Sequence, residues 1–352
     1  MHIRRRIFAA VTLALAGALS VPASAVSSGS PSDVRPHVIA AGPRVYLWPA
    51  GSTAGATAGA AAPRATKGPQ QLAYAGGFNG HGVDTSPAVY LVFWGSQWSK
   101  TDPYATYERA FFTGLYGRGD DWTPSQSQYC EAVAKASVDC PRKGPHVGVP
   151  SRRQVLKGVW FDDASMALPT DAGVHIGSDG TGDTVAQEAM RAAQHFGNTN
   201  AARNRNAIYV INEPSHFDSV EFGAVYCAYH SALSSSIGDV AYATIPYLTD
   251  IENPAHAGVS CGQNMVNSGA AGTYDGVSIV VGHEYLEAVT DPWPSAGWVD
   301  GQGEETADKC VWKASGPGAM SNVHLSTGTF AVQGMWSNLA NNGQGQCVTH
   351  QR

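Results

Sequence analysis

Past residue 70 the apolar residues fall into blocks whose spacing separates strands from helices. Val89, Tyr90, Leu91, Val92, Phe93 and Trp94 form an unbroken β-branched and aromatic run closed by Gly95, the pattern of a strand buried on both faces. Residues 102–116 switch to a helical period: Asp102 stands where an N-cap belongs, Pro103 follows it, and Tyr107, Phe111, Phe112 and Leu115 share one stripe. A second helix is expected over 184–196, stopped by Gly197 and Asn198. A strand over 207–211 follows, closed by Asn212, Glu213 and Pro214. Residues 276–289 are ambiguous, because Val277, Ile279, Val280 and Val281 favour a strand. Asp275 as a cap, the stripe Val277, Val281 and Ala288, and the pair Glu284 and Glu287 weigh toward a helix that Asp291 and Pro292 end. Strands alternating with helices predict an α/β or α+β core in one large mixed domain.

The first 70 residues read differently. Arg4, Arg5 and Arg6 precede an apolar stretch over 7–21, and Ala23, Ser24 and Ala25 offer a small-x-small cleavage pattern. This predicts a signal peptide over 1–25 and a secreted, extracellular protein, with a twin-arginine route also compatible. Residues 26–70 are rich in Ala, Gly, Ser, Thr and Pro, too poor in large apolar side chains to offset their ordering entropy, and read as a linker or propeptide. The folded domain is expected over 71–352. No later stretch reaches the roughly 18 apolar residues of a membrane span. The six cysteines, Cys130, Cys140, Cys227, Cys261, Cys310 and Cys347, form no Cys-x-x-Cys pair and point to disulfides. Loop closure favours neighbours, so Cys130 is expected with Cys140, Cys227 with Cys261, and Cys310 with Cys347. A net charge of −6, with 14% charged residues and no basic cluster after the leader, argues against nucleic acid as a partner.

The chemistry concentrates at His283, Glu284 and Glu287. On a helix His283 and Glu287 share a face one turn apart with Glu284 beside them, the layout in which zinc peptidases with a His-Glu-x-x-His helix hold Zn²⁺ and activate water. Here a carboxylate replaces the second imidazole, which zinc accepts and which admits other divalent ions. For a chain with 12 histidines, a chance His-Glu-x-x-Glu has a probability of only about 0.01 by composition. The bland alternative is a solvated surface helix, or a buried histidine satisfied by a carboxylate. A catalytic zinc needs a third protein ligand. Glu305 is the first choice, with Asp308 orienting His283 or, in the reverse assignment, acting as the ligand itself; His230 is a further candidate. Asp291 beside Pro292 reads as a turn residue, and His175 and His216 fall in loops. Trp293, Trp298 and Trp312 serve either a substrate cleft or the core. No Gly-x-Ser-x-Gly elbow follows a strand, so serine hydrolysis lacks support.

Several of these segments also carry a resemblance. Residues 89–95, the stretch Tyr226, Cys227, Ala228, Tyr229 and His230, residues 275–284 and 287–292, Gly297 with Trp298, and residues 305–310 resemble, in order and spacing, the Exordium or phosphate-induced protein 1 family. The match spans roughly residues 75–350, with departures in the Cys130 to Cys140 loop and the low-complexity N-terminal region. It implies an extracellular or wall-associated protein and leaves the activity to the residues. Two functions are therefore expected. One is a zinc-dependent peptidase with Glu284 as base and His283, Glu287 and Glu305 as ligands, acting on a peptide or cell-wall substrate. The other is a non-catalytic extracellular or wall-interaction protein with a structural metal or none.

Overall fold

In the computed structural model, which describes residues 71–163, 184–215, 222, 226–252 and 261–350, the elements follow one another from β1 (Ala73–Tyr74) and β2 (Ala88–Trp94) through α1 (Pro103–Gly114), β3 (Leu156–Asp162), α2 (Thr184–His195) and α3 (Ala201–Asn204). Next come β4 (Ala207–Asn212), β5 (Tyr229–Ser235), β6 (Gly238–Ile245), α4 (Asp275–Thr290) and β7 (Trp298–Val299). The chain continues through β8 (Ser321–Leu325), β9 (Gly328–Val332), β10 (Met335–Ser337), α5 (Ala340–Gly343) and β11 (Gln346–Val348). The signal-peptide and linker expectations, and His175 and His216, lie outside the described residues.

Five strands make the central sheet, in the order β3-β2-β4-β6-β5. β3, β2, β4 and β6 run parallel, and β5 returns antiparallel to β6 as the edge. The β5–β6 hairpin pairs Ser235 with Gly238 across its turn, and Gly238 takes a φ of +98° that a side chain would strain. Because successive residues of a strand face opposite sides, β2 and β4 feed two cores. Leu91, Phe93, Ile208 and Val210 belong to the larger core, which includes residues of α1 and α4, while Val92, Trp94, Tyr209 and Ile211 join the smaller one with α2. Helices on both faces explain why β2 and β4 read as continuous apolar runs. Smaller antiparallel pairs, β1 with β7, β8 with β9 and β10 with β11, flank this frame. The result is a mixed α/β domain, as expected.

α1 begins as its sequence dictates: Asp102 caps it by accepting from the Ala105 N–H at 3.1 Å, with Pro103 following. The ambiguous segment is helical over Asp275–Thr290, and all sixteen residues are buried. Its β-branched residues therefore reflect burial on every side rather than strand pairing. One expectation is corrected. Tyr274, not Asp275, occupies the N-cap, and the Asp275 carboxylate instead accepts from Val266 N, Asn267 N and Asn267 Nδ2 at 2.9, 2.6 and 2.7 Å. That ties the loop before the helix to its first turn. The three disulfides are Cys130–Cys140, Cys227–Cys261 and Cys310–Cys347, the neighbour pairing that loop closure favours.

Candidate metal centre

α4 presents His283, Glu284 and Glu287 on successive turns within the core. Two further segments meet them there. β5 supplies His230, three residues beyond Cys227 of the Cys227–Cys261 bridge and directly paired with Ala243 of β6. The turn after β7 supplies Glu305 and Asp308. This turn is pinned on three sides: the Thr306 hydroxyl lies 3.0 Å from that of Thr290 at the end of α4, the Thr306 carbonyl accepts from Trp336 N at 2.7 Å, and Cys310 is bridged to Cys347. None of His230, His283, Glu284, Glu287, Glu305 and Asp308 is more than 5% exposed.

The side chains fall into two groups with Glu287 common to both. His283 Nε2 lies 3.2 Å from Glu287 Oε2 and 3.5 Å from Asp308 Oδ1. His230 Nε2 lies 2.7 Å from Glu305 Oε2 and 3.8 Å from Glu287 Oε2. Thus Asp308, the alternative third ligand, groups with His283, and Glu305, the first choice, groups with His230. Asp308 is held in place by donating its N–H to Glu287 Oε1 at 3.0 Å, and its Oδ2 accepts the Glu305 N–H at 3.3 Å. His283 Nε2, Glu287 Oε2, Asp308 Oδ1 and Glu284 Oε2 have no hydrogen-bond partner, although each is buried. Unpartnered buried polar atoms cost free energy, and those of His283, Glu287 and Asp308 lie close enough together that one cation could satisfy all three.

Gln333, which no sequence motif marks, fixes the histidine's orientation. Its amide nitrogen donates to the carbonyls of Ala307 and Gly334 at 2.9 and 3.2 Å, so its Oε1 accepts from His283 Nδ1 at 3.1 Å. The Nδ1 proton is thereby assigned, and Nε2 is the nitrogen turned toward the carboxylates. This is the carboxylate- or amide-supported imidazole of metal sites. Glu287 and Asp308 lie from Nε2 at distances that match the roughly 3.4 Å edge of a tetrahedron with ligands at about 2.1 Å. The residues therefore fit a divalent cation, with nitrogen and oxygen donors and no sulfur.

Burial and the mutual charges of these groups set their protonation. Burial opposes a charge on His283, yet Glu287, Glu284 and Asp308 outweigh it and hold the imidazole well above its usual range. Glu287 stays below the usual carboxylate value despite burial, because His283, His230 and the Asp308 N–H favour its ionised form. Burial, aided by Glu287 and Asp308, pushes Glu284 up to about 8. Burial likewise raises Glu305 and Asp308 well above normal, each reinforced by neighbouring carboxylates. Metal binding would displace the proton that His283 otherwise holds against these acids.

Asp291 does serve the turn expected of it, its Oδ1 accepting from Ala296 N and Gly297 N at 3.0 and 2.5 Å. Its Oδ2 is buried and unpartnered, and Glu305 and His230 are near enough for their charges to act on it. Trp298 and Trp312 are core residues, the Trp298 indole donating to the Cys130 carbonyl, while Trp293 stacks on Phe78 with centroids 3.8 Å apart. A cavity of about 560 Å³ lies around Leu339, Asn341 and His350 and is lined by no residue of the centre. No helix of the described residues is long and apolar enough to cross a membrane. Comparison of the chain with protein-family models, curated proteins and solved structures finds no match.

Proposed function

We propose that the protein is a secreted, metal-dependent hydrolase acting on peptide bonds, with His283, Glu287 and Asp308 as the ligands of a divalent cation, zinc first among the candidates. One observation carries the reading: three buried, unpartnered donor atoms on these residues lie within 4.8 Å of one another, His283 Nε2 standing at 3.2 and 3.5 Å from the two oxygens, with Gln333 setting the histidine tautomer. Three protein ligands leave a coordination position open, the mark of a catalytic rather than a structural zinc site. A cation bound there would supply Lewis acidity toward water and a substrate carbonyl. Glu284 supplies the proton traffic. It adjoins His283 on α4, is not grouped with the ligand sets, and has a carboxyl pushed by burial to about 8, close to the working pH of a general acid or base. The disulfides suit an oxidising destination, and the Exordium-like, extracellular assignment belongs to the same proposal.

The second reading, a non-catalytic extracellular or wall-interaction protein with a structural cation, draws on the near-complete burial of the centre. One experiment separates them. The purified protein is screened against a broad peptide library with and without chelator, then as Glu284→Gln. A hydrolase cleaves, loses cleavage to chelator, and falls by at least about 10²-fold in the variant with its metal retained. Stoichiometric metal without chelator-sensitive cleavage moves the assignment to the structural reading. Absence of stoichiometric metal after metal-replete expression removes the hydrolase and the structural cation and leaves a non-catalytic protein without a metal.

A further inference from the structure

The two ligand groups share one oxygen. In the first, His283, Glu287 and Asp308 offer donor atoms all within 4.8 Å of one another; in the second, His230, Glu287 and Glu305 do the same. Glu287 Oε2 is the common atom, 3.2 Å from His283 Nε2 and 3.8 Å from His230 Nε2, buried and without a hydrogen-bond partner. The other oxygen of Glu287 is occupied by the Asp308 N–H, which fixes the carboxylate with Oε2 facing both imidazoles.

We propose that the centre takes two divalent cations bridged by Glu287, one completed by His283 and Asp308, the other by His230 and Glu305. The inference rests on the reading of the first group as a metal site and extends it. Charge counting favours the second ion. Glu284, Glu287, Asp291, Glu305 and Asp308 place five carboxylates beside two imidazoles, none more than 5% exposed, and no Lys or Arg among the described residues pairs with any of them. Were all five carboxylates ionised beside neutral imidazoles, one divalent ion would leave a charge of −3 and two would leave −1, so a second cation lets more of these acids ionise without uncompensated buried charge. Asp291 brings further negative charge near Glu305 and His230, its Oδ1 fixed by two turn amides and its Oδ2 buried without a partner. Paired cations about 3.5–4 Å apart are the geometry that stabilises attacking and leaving oxygens together in hydrolytic sites. The mixed imidazole and carboxylate donors suit zinc or manganese. The competing arrangement is a single ion at His283, with His230 only donating a hydrogen bond to Glu305 across the observed 2.7 Å.

The test uses the purified full chain, stripped with chelator and reloaded separately with Zn²⁺ and Mn²⁺. Elemental analysis is expected to give about two ions per chain, and the Mn²⁺ form an exchange-coupled electron paramagnetic resonance spectrum. His230→Gln and Glu305→Gln are each expected to lower the stoichiometry to one and to restore the six-line signal of isolated Mn²⁺. One ion per chain in the parent, with an uncoupled spectrum and no change in either variant, overturns the bridge while leaving the single-ion hydrolase standing. No stoichiometric ion overturns both. The spectrum of the unmodified protein decides the question even if a substituted core fails to fold.

Discussion

Glu108 gives the sharpest stability prediction, because it is a fully buried carboxyl outside the candidate metal centre. It lies on the sheet-facing side of α1, where Oε1 accepts from Asn212 Nδ2 at 3.2 Å and Oε2 has no partner. Burial, only partly offset by that hydrogen bond, pushes its pKa from 4.5 to about 8. Between those values the folded protein holds a proton that the unfolded chain has released, so the folded state binds more protons and stability falls as pH rises. Below 4.5 both states are protonated and nothing is lost. Above 8 the full gap applies, about 5 kcal/mol at about 1.4 kcal/mol for each pKa step, and at pH 7 about 3 kcal/mol is already gone. Glu108→Gln keeps the shape and the acceptor for Asn212 but cannot ionise. Urea unfolding of parent and variant with disulfides intact, at pH 4.5, 7 and 9, is expected to show near-equal stabilities at the lowest pH. The variant should be the more stable by about 3 kcal/mol at pH 7 and about 5 kcal/mol at pH 9. A difference that stays constant with pH, or a variant destabilised throughout, would refute the claim that desolvation of this carboxyl controls the slope.

Other outcomes follow from the same structure. Gln333→Leu removes the acceptor for His283 Nδ1 and should weaken metal affinity by about 10–100-fold in chelator competition, with unchanged affinity counting against its orienting role. Gly276 lies inside α4, where an added Cβ would fall 2.3 Å from the Cys261 carbonyl oxygen. Gly276→Ala should therefore cost about 1–3 kcal/mol in chemical denaturation, whereas an open helix site would gain up to about 1 kcal/mol from the same change. Replacing Cys227 and Cys261 together by Ser opens a bridge of sequence separation 34. By loop entropy this should lower stability by about 4 kcal/mol, and a loss near zero would show that the unfolded chain is not constrained by it.

Local signals in the sequence determined much of the frame. The cap at Asp102, the stop at Gly197, the unbroken apolar runs of β2 and β4, and the cysteine pairing follow from backbone propensity, two-sided burial and short loop closure, all of which act over a few neighbours or along one chain segment. The one-turn spacing of His283 and Glu287 likewise needed only a helix. Tertiary structure decided the rest. β3 and the β5–β6 hairpin gave no pattern strong enough to place, because Lys157, Gly158 and the serines of β5 dilute their apolar character and strand pairing alone defines them. α4 became a helix against the preference of its valines because it is enclosed on every side. Which acid faces which histidine depended on the turn that carries Glu305 and Asp308. They stand three positions apart, and hydrogen bonds to Glu287, Thr290 and Trp336 set the turn's direction. Gln333 is fifty positions from His283 and bears no motif; only the packing of the segment after β9 against α4 brings its amide to the imidazole. Spacing along a helix is written in one segment, but a candidate ligand set drawn from α4, β5 and a distant turn comes together only once the sheet and its disulfides have joined those segments.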